Sequence, residues 1–576
     1  MARAAGIREN GQSAATWPEP SEARTLVELL TAAAARYGDK TALQVCRGGQ
    51  WRRLSYRKLL AAAEAWGRVL AAAGLSAGDR ALLVAEGSPE WGVGYFAIMS
   101  LGATAVPLDP QLNAPDIAAI AQRTRARVWL VSQAVRERLR EAVGEAQVFV
   151  VDEFSSLPDG APAGVKAEGD SARESDVASI PFTSGTTLAP KGVPLTHGNL
   201  LSDVRALVEV VGVTCEDEFL CVLPLYHVLG FTGSFLAALS VGATVTFLER
   251  LTPKALLEAM QATGTSVVIA VPRLLILIVK AIQSRVDSSP RSVQRMFALL
   301  LRLARGCRRC GRFTRGLRAA LFRQVHRRFG GRLRLLVSGG AALPGEVYDL
   351  LDLMGFAVCE GYGLTETSPV LTLNPPSRPR RGTVGPAIPG VEVKIVDPEP
   401  DGIGEVLVKG PCVFSGYFED EEATRRAFRD GWFRTSDLGR LDRDGHLILA
   451  GRADDMIVTG GGKNVYPVEV EYLYRDLPQV KELCIVGVPD SASAGEAVWA
   501  VIARDDTEGP PTETWKREVE SAVSAISRQL PPHQRVRGVH FWEGELPRTS
   551  TLKVKRKQVR ERLRSAGGTR PPVGDG

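Results

Sequence analysis

The stretch Pro181–Gly192, PFTSGTTLAPKG, places Thr183, Ser184, Gly185, Thr186 and Thr187 in succession, with Lys191 just beyond. Backbone N–H groups that few side chains shield, joined by hydroxyl donors and a cation, suit an oxyanion-rich ligand, above all a polyphosphate. The order is not that of the Walker phosphate loop, which closes on Gly-Lys-Ser/Thr; here Lys191 stands between Pro190 and Gly192. A polar connection between two elements has the same composition, so the stretch alone leaves both readings open.

The elements that must hold such a loop are legible around it. With 576 residues the chain exceeds a single core and divides into domains. Its 45% hydrophobic and 24% charged content is that of an ordinary globular protein. In the first half, TLVELLTAAAARYG ends at Gly38, and YRKLLAAAEAWGRVLAAAG runs between a capping Ser55 and Gly74; both have the spacing of amphipathic helices. DRALLVAEG and ARVWLVS read as short apolar strands. Helix and strand in alternation predict an α/β architecture with parallel or mixed sheets. Over about 380–450 the pattern changes to short strands and glycine turns, a small β-rich, barrel-like subdomain. GRADDMIV then opens a last α+β unit, with strands at ELCIVGVP and EAVWAVIAR and a helix near 513–529. The expected division is a large domain over 1–452, a small one over 453–565, and a disordered glycine- and proline-rich tail over 566–576.

Several classes are disfavoured. The N-terminus has no apolar run after its arginines, so a secretory signal is not expected, and eight cysteines without regular spacing fit a reducing compartment. Cys307 and Cys310 form a lone CxxC with no histidine cluster beside it, a poor metal or redox site. Phe219–Leu248 lacks any formally charged residue and is long enough to span a bilayer. Pro224, His227 and three glycines divide it into strand, turn, helix and strand of a buried sheet. The net charge of +6 hides a local excess: Arg285–Arg334 holds 15 arginines against Asp287 alone. Apolar residues interleaved with them predict amphipathic helix with a basic face, suited to nucleic acid, acidic lipid headgroups, an anionic ligand or simple solvation.

Further stretches then follow in order: EGYGLTETSP after LLVSGGAALP, GWFRTSDLG before GRADDMIVTGGGKNVYPVEVE, and LPRTSTLKVKR near the end. With TSGTTLAPKG they resemble the adenylate-forming superfamily of acyl-CoA synthetases, peptide-synthetase adenylation domains and luciferases, over about residues 25–563. The resemblance implies ATP, Mg²⁺ and a carboxylic acid, with coenzyme A as acceptor of the acyl group. It implies that Thr183, Ser184, Gly185, Thr186, Thr187 and Lys191 wrap the β- and γ-phosphates. Gly361 and Gly363 would admit the adenine, Tyr362 would stack on it, and Thr365 would meet the α-phosphate. Glu366, with Thr183, would hold Mg²⁺. Asp437 would accept the ribose hydroxyls with Arg452 as its partner, and Ala341 would line the site with backbone. His227 would lie between the nucleotide and acyl pockets, and Lys553 would be the catalytic lysine. Asp454 would be the pivot of a mobile C-terminal domain. Two departures stand out: Leu188 and Leu552 replace glycines usual in the family.

GGGKNVYPVEVE is one residue longer than the common GGENIYP form and, with the basic insert, looks like the long-chain fatty acyl-CoA synthetase group. A long-chain fatty acid–CoA ligase is thus expected. Loading of an acyl carrier protein, or a basic membrane-binding module with a decayed site, are the alternatives. The expected partners are fatty acid, ATP and CoA, a second copy of the chain, and the cytoplasmic face of an anionic membrane; nucleic acid is not expected.

Overall fold

The computed structural model describes residues 19–139, 146–155, 172–183, 190–309, 314–460, 463–474, 477, 480–490, 495–504, 512–548 and 554–565. The expected disordered tail and Cys310 lie outside the described residues.

The alternation of the first half builds two large sheets. One has eight strands, in the order Thr372–Leu373, Ala357–Tyr362, Leu335–Ser338, Val267–Ala270, Glu218–Cys221, Thr244–Phe247, Thr41–Arg47 and Gln50–Ser55. Its six inner strands run parallel, and the two edge strands pair antiparallel. The other has six strands centred on Arg80–Val84 and Thr104–Pro107. Between the sheets lies the helix Pro89–Met99, PEWGVGYFAIM, every residue of which is buried. A helix apolar on nearly all sides belongs in such an interior, and its one charge, Glu90, is paired with Arg47 at 2.7 Å. Its glycines allow the close fit: a Cβ on Gly92 would lie 3.1 Å from Leu43 of the larger sheet, and one on Gly94 3.1 Å from Leu130 of the smaller.

The expected helices form with their caps. Leu26–Tyr37 ends at Gly38, at φ 49°, and Ser55 accepts the Lys58 N–H at the start of Tyr56–Ala72. The uncharged run resolves into strand Glu218–Cys221, a π-helix over Leu229–Leu236, a helical turn and strand Thr244–Phe247. It fills the middle of the eight-stranded sheet. Among the described residues no helix is long and apolar enough to cross a membrane.

The basic segment forms the helices Arg291–Arg309, Arg315–Leu321 and Arg323–Arg328. Several of its arginines serve the fold. Arg318 is buried against Asp352 at 3.0 Å, Arg308 reaches Asp349 at 2.9 Å, and Arg334 reaches Asp217 at 2.7 Å. Arg315 donates to the Pro376 carbonyl at 3.0 Å. A buried guanidinium needs such partners, since an unpaired charge there costs several kcal/mol.

Beyond about residue 390 the chain turns antiparallel: Glu392–Val396, Gly404–Lys409, Phe428–Arg429, Trp432–Leu441 and Leu447–Arg452 make a five-stranded sheet. A small C-terminal domain follows, built on the strands Val480–Asp490, Gly495–Arg504 and Gly538–Trp542 with the helix Glu513–Arg528. At its base Arg556 binds Glu471 at 2.6 Å and Asp455 at 3.3 Å.

Candidate active site

The parallel strand Ala357–Tyr362 delivers the EGYGLTE stretch to the carboxyl end of the larger sheet, where ligands of α/β folds gather. Beyond it the chain turns sharply through Thr365–Thr367. Gly363 is required there, since a Cβ would fall 1.7 Å from the Pro369 carbonyl oxygen. Asp203, fully buried, accepts the Val370 N–H at 3.1 Å and so ties this turn to the helix His197–Val211; burial raises its carboxyl well above the ordinary range.

Two polar groups flank the turn. On one side Tyr362, buried, donates its hydroxyl to Asp437 Oδ2 at 2.6 Å, and Arg452 Nη1 lies 3.4 Å from Asp437 Oδ1. Asp437 and Arg452 are direct partners across the antiparallel strands, so sheet register alone brings them together. On the other side Tyr417 donates to Glu366 Oε1 at 2.9 Å, and the Lys191 ammonium sits 4.7 Å from the centre of the Tyr417 ring. Lys191 pairs with Thr183 across a two-stranded hairpin, and Thr183 Oγ1 donates to the Lys191 carbonyl at 3.4 Å. Desolvation raises the Glu366 carboxyl, while Tyr417, Arg452 and Lys191 draw it back down. Arg452 thus pairs with Asp437 and also lowers the Glu366 carboxyl through its charge, so it bears on both groups around the turn.

The remaining walls come from the larger sheet. Glu360 accepts the Leu343 N–H at 3.3 Å and so fixes the SGGAAL loop, with Ala341 exposed, against the start of the turn. Burial pushes the Glu360 carboxyl up to about 7. Gly339 in that loop packs on Leu229, the first residue of the π-helix; a Cβ there would lie 3.0 Å from Leu229 Cδ2. His227 precedes this helix by two residues, with its ring 4.5 Å from that of Tyr226. Burial lowers its imidazole, and Asp109 pulls in the opposite direction. π-Helical turns of this kind recur at functional sites.

Thr183, Lys191, Tyr362, Glu366, Asp437 and Arg452 therefore converge, with Gly361, Gly363 and Thr365 in the backbone between them. Ala341 lies in the loop that Glu360 holds through Leu343, and His227 lies two residues before the π-helix whose Leu229 packs on Gly339 of that loop. Ser184, Gly185, Thr186, Thr187 and Lys553 lie outside the described residues. Asp454 is exposed in the short turn Ala453–Asp455 that follows the strand Leu447–Arg452. Sequence reasoning missed Tyr417, Glu360 and Asp203. Only the aromatic pair Tyr417–Phe418 after Gly416, isolated in a polar stretch, was a signal for the first.

A family model for AMP-binding enzymes matches residues 30–418, and one for their C-terminal domain matches residues 469–553. The chain belongs to the AMP-binding enzymes. Within this family it is 31% identical to a long-chain-fatty-acid–CoA ligase, FadD15, of Mycobacterium bovis, over 87% of this chain and 90% of that one. It is 28% identical to an indoleacetate–CoA ligase of Aromatoleum aromaticum, over 88% and 93%. The fold superposes on a solved anthranilate CoA ligase, AuaEII, in complex with anthranoyl-AMP, with a TM-score of 0.75, 25% identity, and coverage of 95% and 98%. As an AMP-binding enzyme the chain is an adenylate-forming ligase of the CoA ligase kind.

Proposed function

We propose that this AMP-binding enzyme activates a long-chain fatty acid as its acyl-adenylate and transfers the acyl group to coenzyme A. The observation that carries the reading is the two polar clusters that flank the glycine-bounded turn, Lys191, Tyr417 and Glu366 on one side and Arg452, Asp437 and Tyr362 on the other. Together they can receive a nucleotide: Asp437 and Arg452 at the ribose, Tyr362 and the Gly361–Gly363 backbone at the base, Thr365 at the α-phosphate. Thr183, Lys191 and the neighbouring hydroxyl loop take the outer phosphates.

In the first step the acid's carboxylate oxygen attacks the α-phosphorus, the bond to the β-phosphate oxygen breaks, and pyrophosphate leaves. In the second the CoA thiol, losing its proton, attacks the acyl carbon and AMP departs. The protein's work is to bring two anions together and to hold the charge that shifts between them. Glu366 is a hard oxygen ligand beside the phosphate loop, and Mg²⁺ needs only one or two carboxylates when phosphates complete its shell. Bound there, Mg²⁺ would neutralise phosphate charge. Lys553 would bridge carboxylate and α-phosphate in the first step, and the domain beginning after Arg452 would pivot at Asp454 between the steps. His227, its imidazole lowered by burial, would border the acyl side.

The long-chain assignment rests on the GGGKNVYP loop and on the FadD15 relative. The indoleacetate and anthranilate ligases support a second reading, an aromatic acid. Pyrophosphate release measured with acetate, a series of fatty acids and aryl acids separates them. Under the first reading kcat/KM climbs with chain length, since each buried methylene contributes ~0.8 kcal/mol. Equal or greater turnover of acetate or an aryl acid would refute it.

A further inference from the structure

The basic insertion is not used by the adenylation site, and it presents two faces. On the helix Arg291–Arg309 the inner face, Phe297, Leu300, Leu301 and Ala304, packs into the core of the insertion. On the outer side Met296, Leu299 and Leu303 are 48%, 54% and 48% exposed. Their spacing of three and four residues makes one stripe, about 10 Å long at the α-helical rise. Arg291, Arg295 and Arg302 flank one side of that stripe and Arg305 lies further round the same side, all exposed, and none is paired with a carboxylate among the described residues. The helix itself contains no acid. These arginines differ from Arg308, Arg315, Arg318 and Arg334, whose contacts belong to the fold.

Neighbouring helices carry exposed leucines of their own. Leu277 on Pro272–Asp287 and Leu317 on Arg315–Leu321 are 51% and 55% exposed, and both helices pack against Arg291–Arg309. Large exposed leucines grouped on one element are unusual in a protein that meets only water. A basic strip beside an apolar stripe is the pattern of a helix lying in a bilayer interface, leucines among the acyl chains and arginines among anionic headgroups. A nucleic acid backbone would engage the arginines but offer the leucines nothing.

We propose that the outer face of Arg291–Arg309 is a docking surface for anionic phospholipid bilayers. The surface is separate from the adenylation site, and the inference stands whichever acid the enzyme activates.

Flotation of the full-length protein with phosphatidylcholine vesicles, with and without phosphatidylglycerol, tests the proposal. Binding is expected only with phosphatidylglycerol and should weaken as salt rises. The combined variant R291S/R295S/R302S/R305S should bind at least about tenfold more weakly, with pyrophosphate release on dissolved substrate unchanged. A second variant, M296S/L299S/L303S, keeps the charge and should also lose affinity, which counterion attraction alone would not predict. Parental binding by either variant overturns the proposal, as does failure of the parent to bind phosphatidylglycerol vesicles at low salt. Retention of duplex DNA by the parent, lost in the arginine variant while vesicle binding persists, would overturn it in favour of nucleic acid. A shift from dimer to monomer in the leucine variant, with vesicle binding intact, would make the face a contact between copies.

Discussion

Replacing Tyr417 by phenylalanine isolates one hydroxyl in the proposed phosphate and metal region. The ring remains, and with it the contact to Lys191 at 4.7 Å, while the hydrogen bond to Glu366 at 2.9 Å disappears. A hydrogen bond to a charged group contributes about 1.5–3 kcal/mol, which converts to about 10- to 150-fold in rate. Tyr417→Leu would lose in addition a cation–π contact of about 0.5–2 kcal/mol, so the leucine variant should be the slower of the two. The acid limb supplies an independent readout. Glu366 must be ionised to hold a cation; burial already raises its carboxyl, and Tyr417 is among the groups that lower it. Without that hydroxyl, protonation begins at a higher pH, and the acid limb of pyrophosphate release should move to higher pH in Tyr417→Phe. More Mg²⁺ should be needed for half-maximal rate as well. Parental rate, Mg²⁺ dependence and acid limb in this variant would refute the assignment of Glu366 and Tyr417 as a working pair.

Gly363→Ala places a methyl on the Pro369 carbonyl and should lower stability by about 1–3 kcal/mol or more and abolish adenylation, read by thermal melting and pyrophosphate release. Lys553→Ala should lose acyl-adenylate formation by ~10²-fold, yet convert supplied acyl-adenylate to thioester at near the parental rate; equal damage to both half-reactions would exclude the proposed role. His197, buried, accepts the Leu26 N–H on Nδ1, and burial holds its imidazole down to about 4. The unfolded chain takes up that proton near pH 6.5, so stability is full above this pH and falls by up to about 3 kcal/mol on acidification to pH 4. Melting curves across this range should be steeper in pH for the parent than for His197→Asn.

Elements whose local signals agree with the fold were legible in the sequence. The helices Leu26–Tyr37 and Tyr56–Ala72 have capping residues and apolar stripes that name their own ends, and the uncharged run divides where its proline and glycines fall. Asp437 and Arg452 were found by motif, but their direct pairing is a product of sheet register that no local pattern encodes. Tyr417 lies 51 residues from Glu366 in a turn without periodicity, so their bond is purely tertiary. The arginine-rich segment shows the same limit. Composition reveals an excess of charge, but Arg318 meets Asp352 across 34 residues, and only the fold separates such arginines from those on the outer face.

The cluster of Arg556 with Glu471 and Asp455 has a consequence for motion. All three residues follow Asp454, the proposed pivot, so a turn about that residue carries the cluster as cargo. Dismantling a buried ion pair by removing a partner costs about 3–5 kcal/mol, enough to pin a domain in one pose. Placed wholly downstream, the cluster instead stiffens the lever at its root. Across the pivot, Asn464 makes only an exposed bond of 3.2 Å to Glu399, and Tyr466 packs with Ile403, Leu438 and Ala450 in a small apolar patch. If the proposed pivot turns, the rigid part of the joint would travel with the moving arm, and the turn would have to part the exposed Asn464–Glu399 bond and open the small buried cluster around Tyr466.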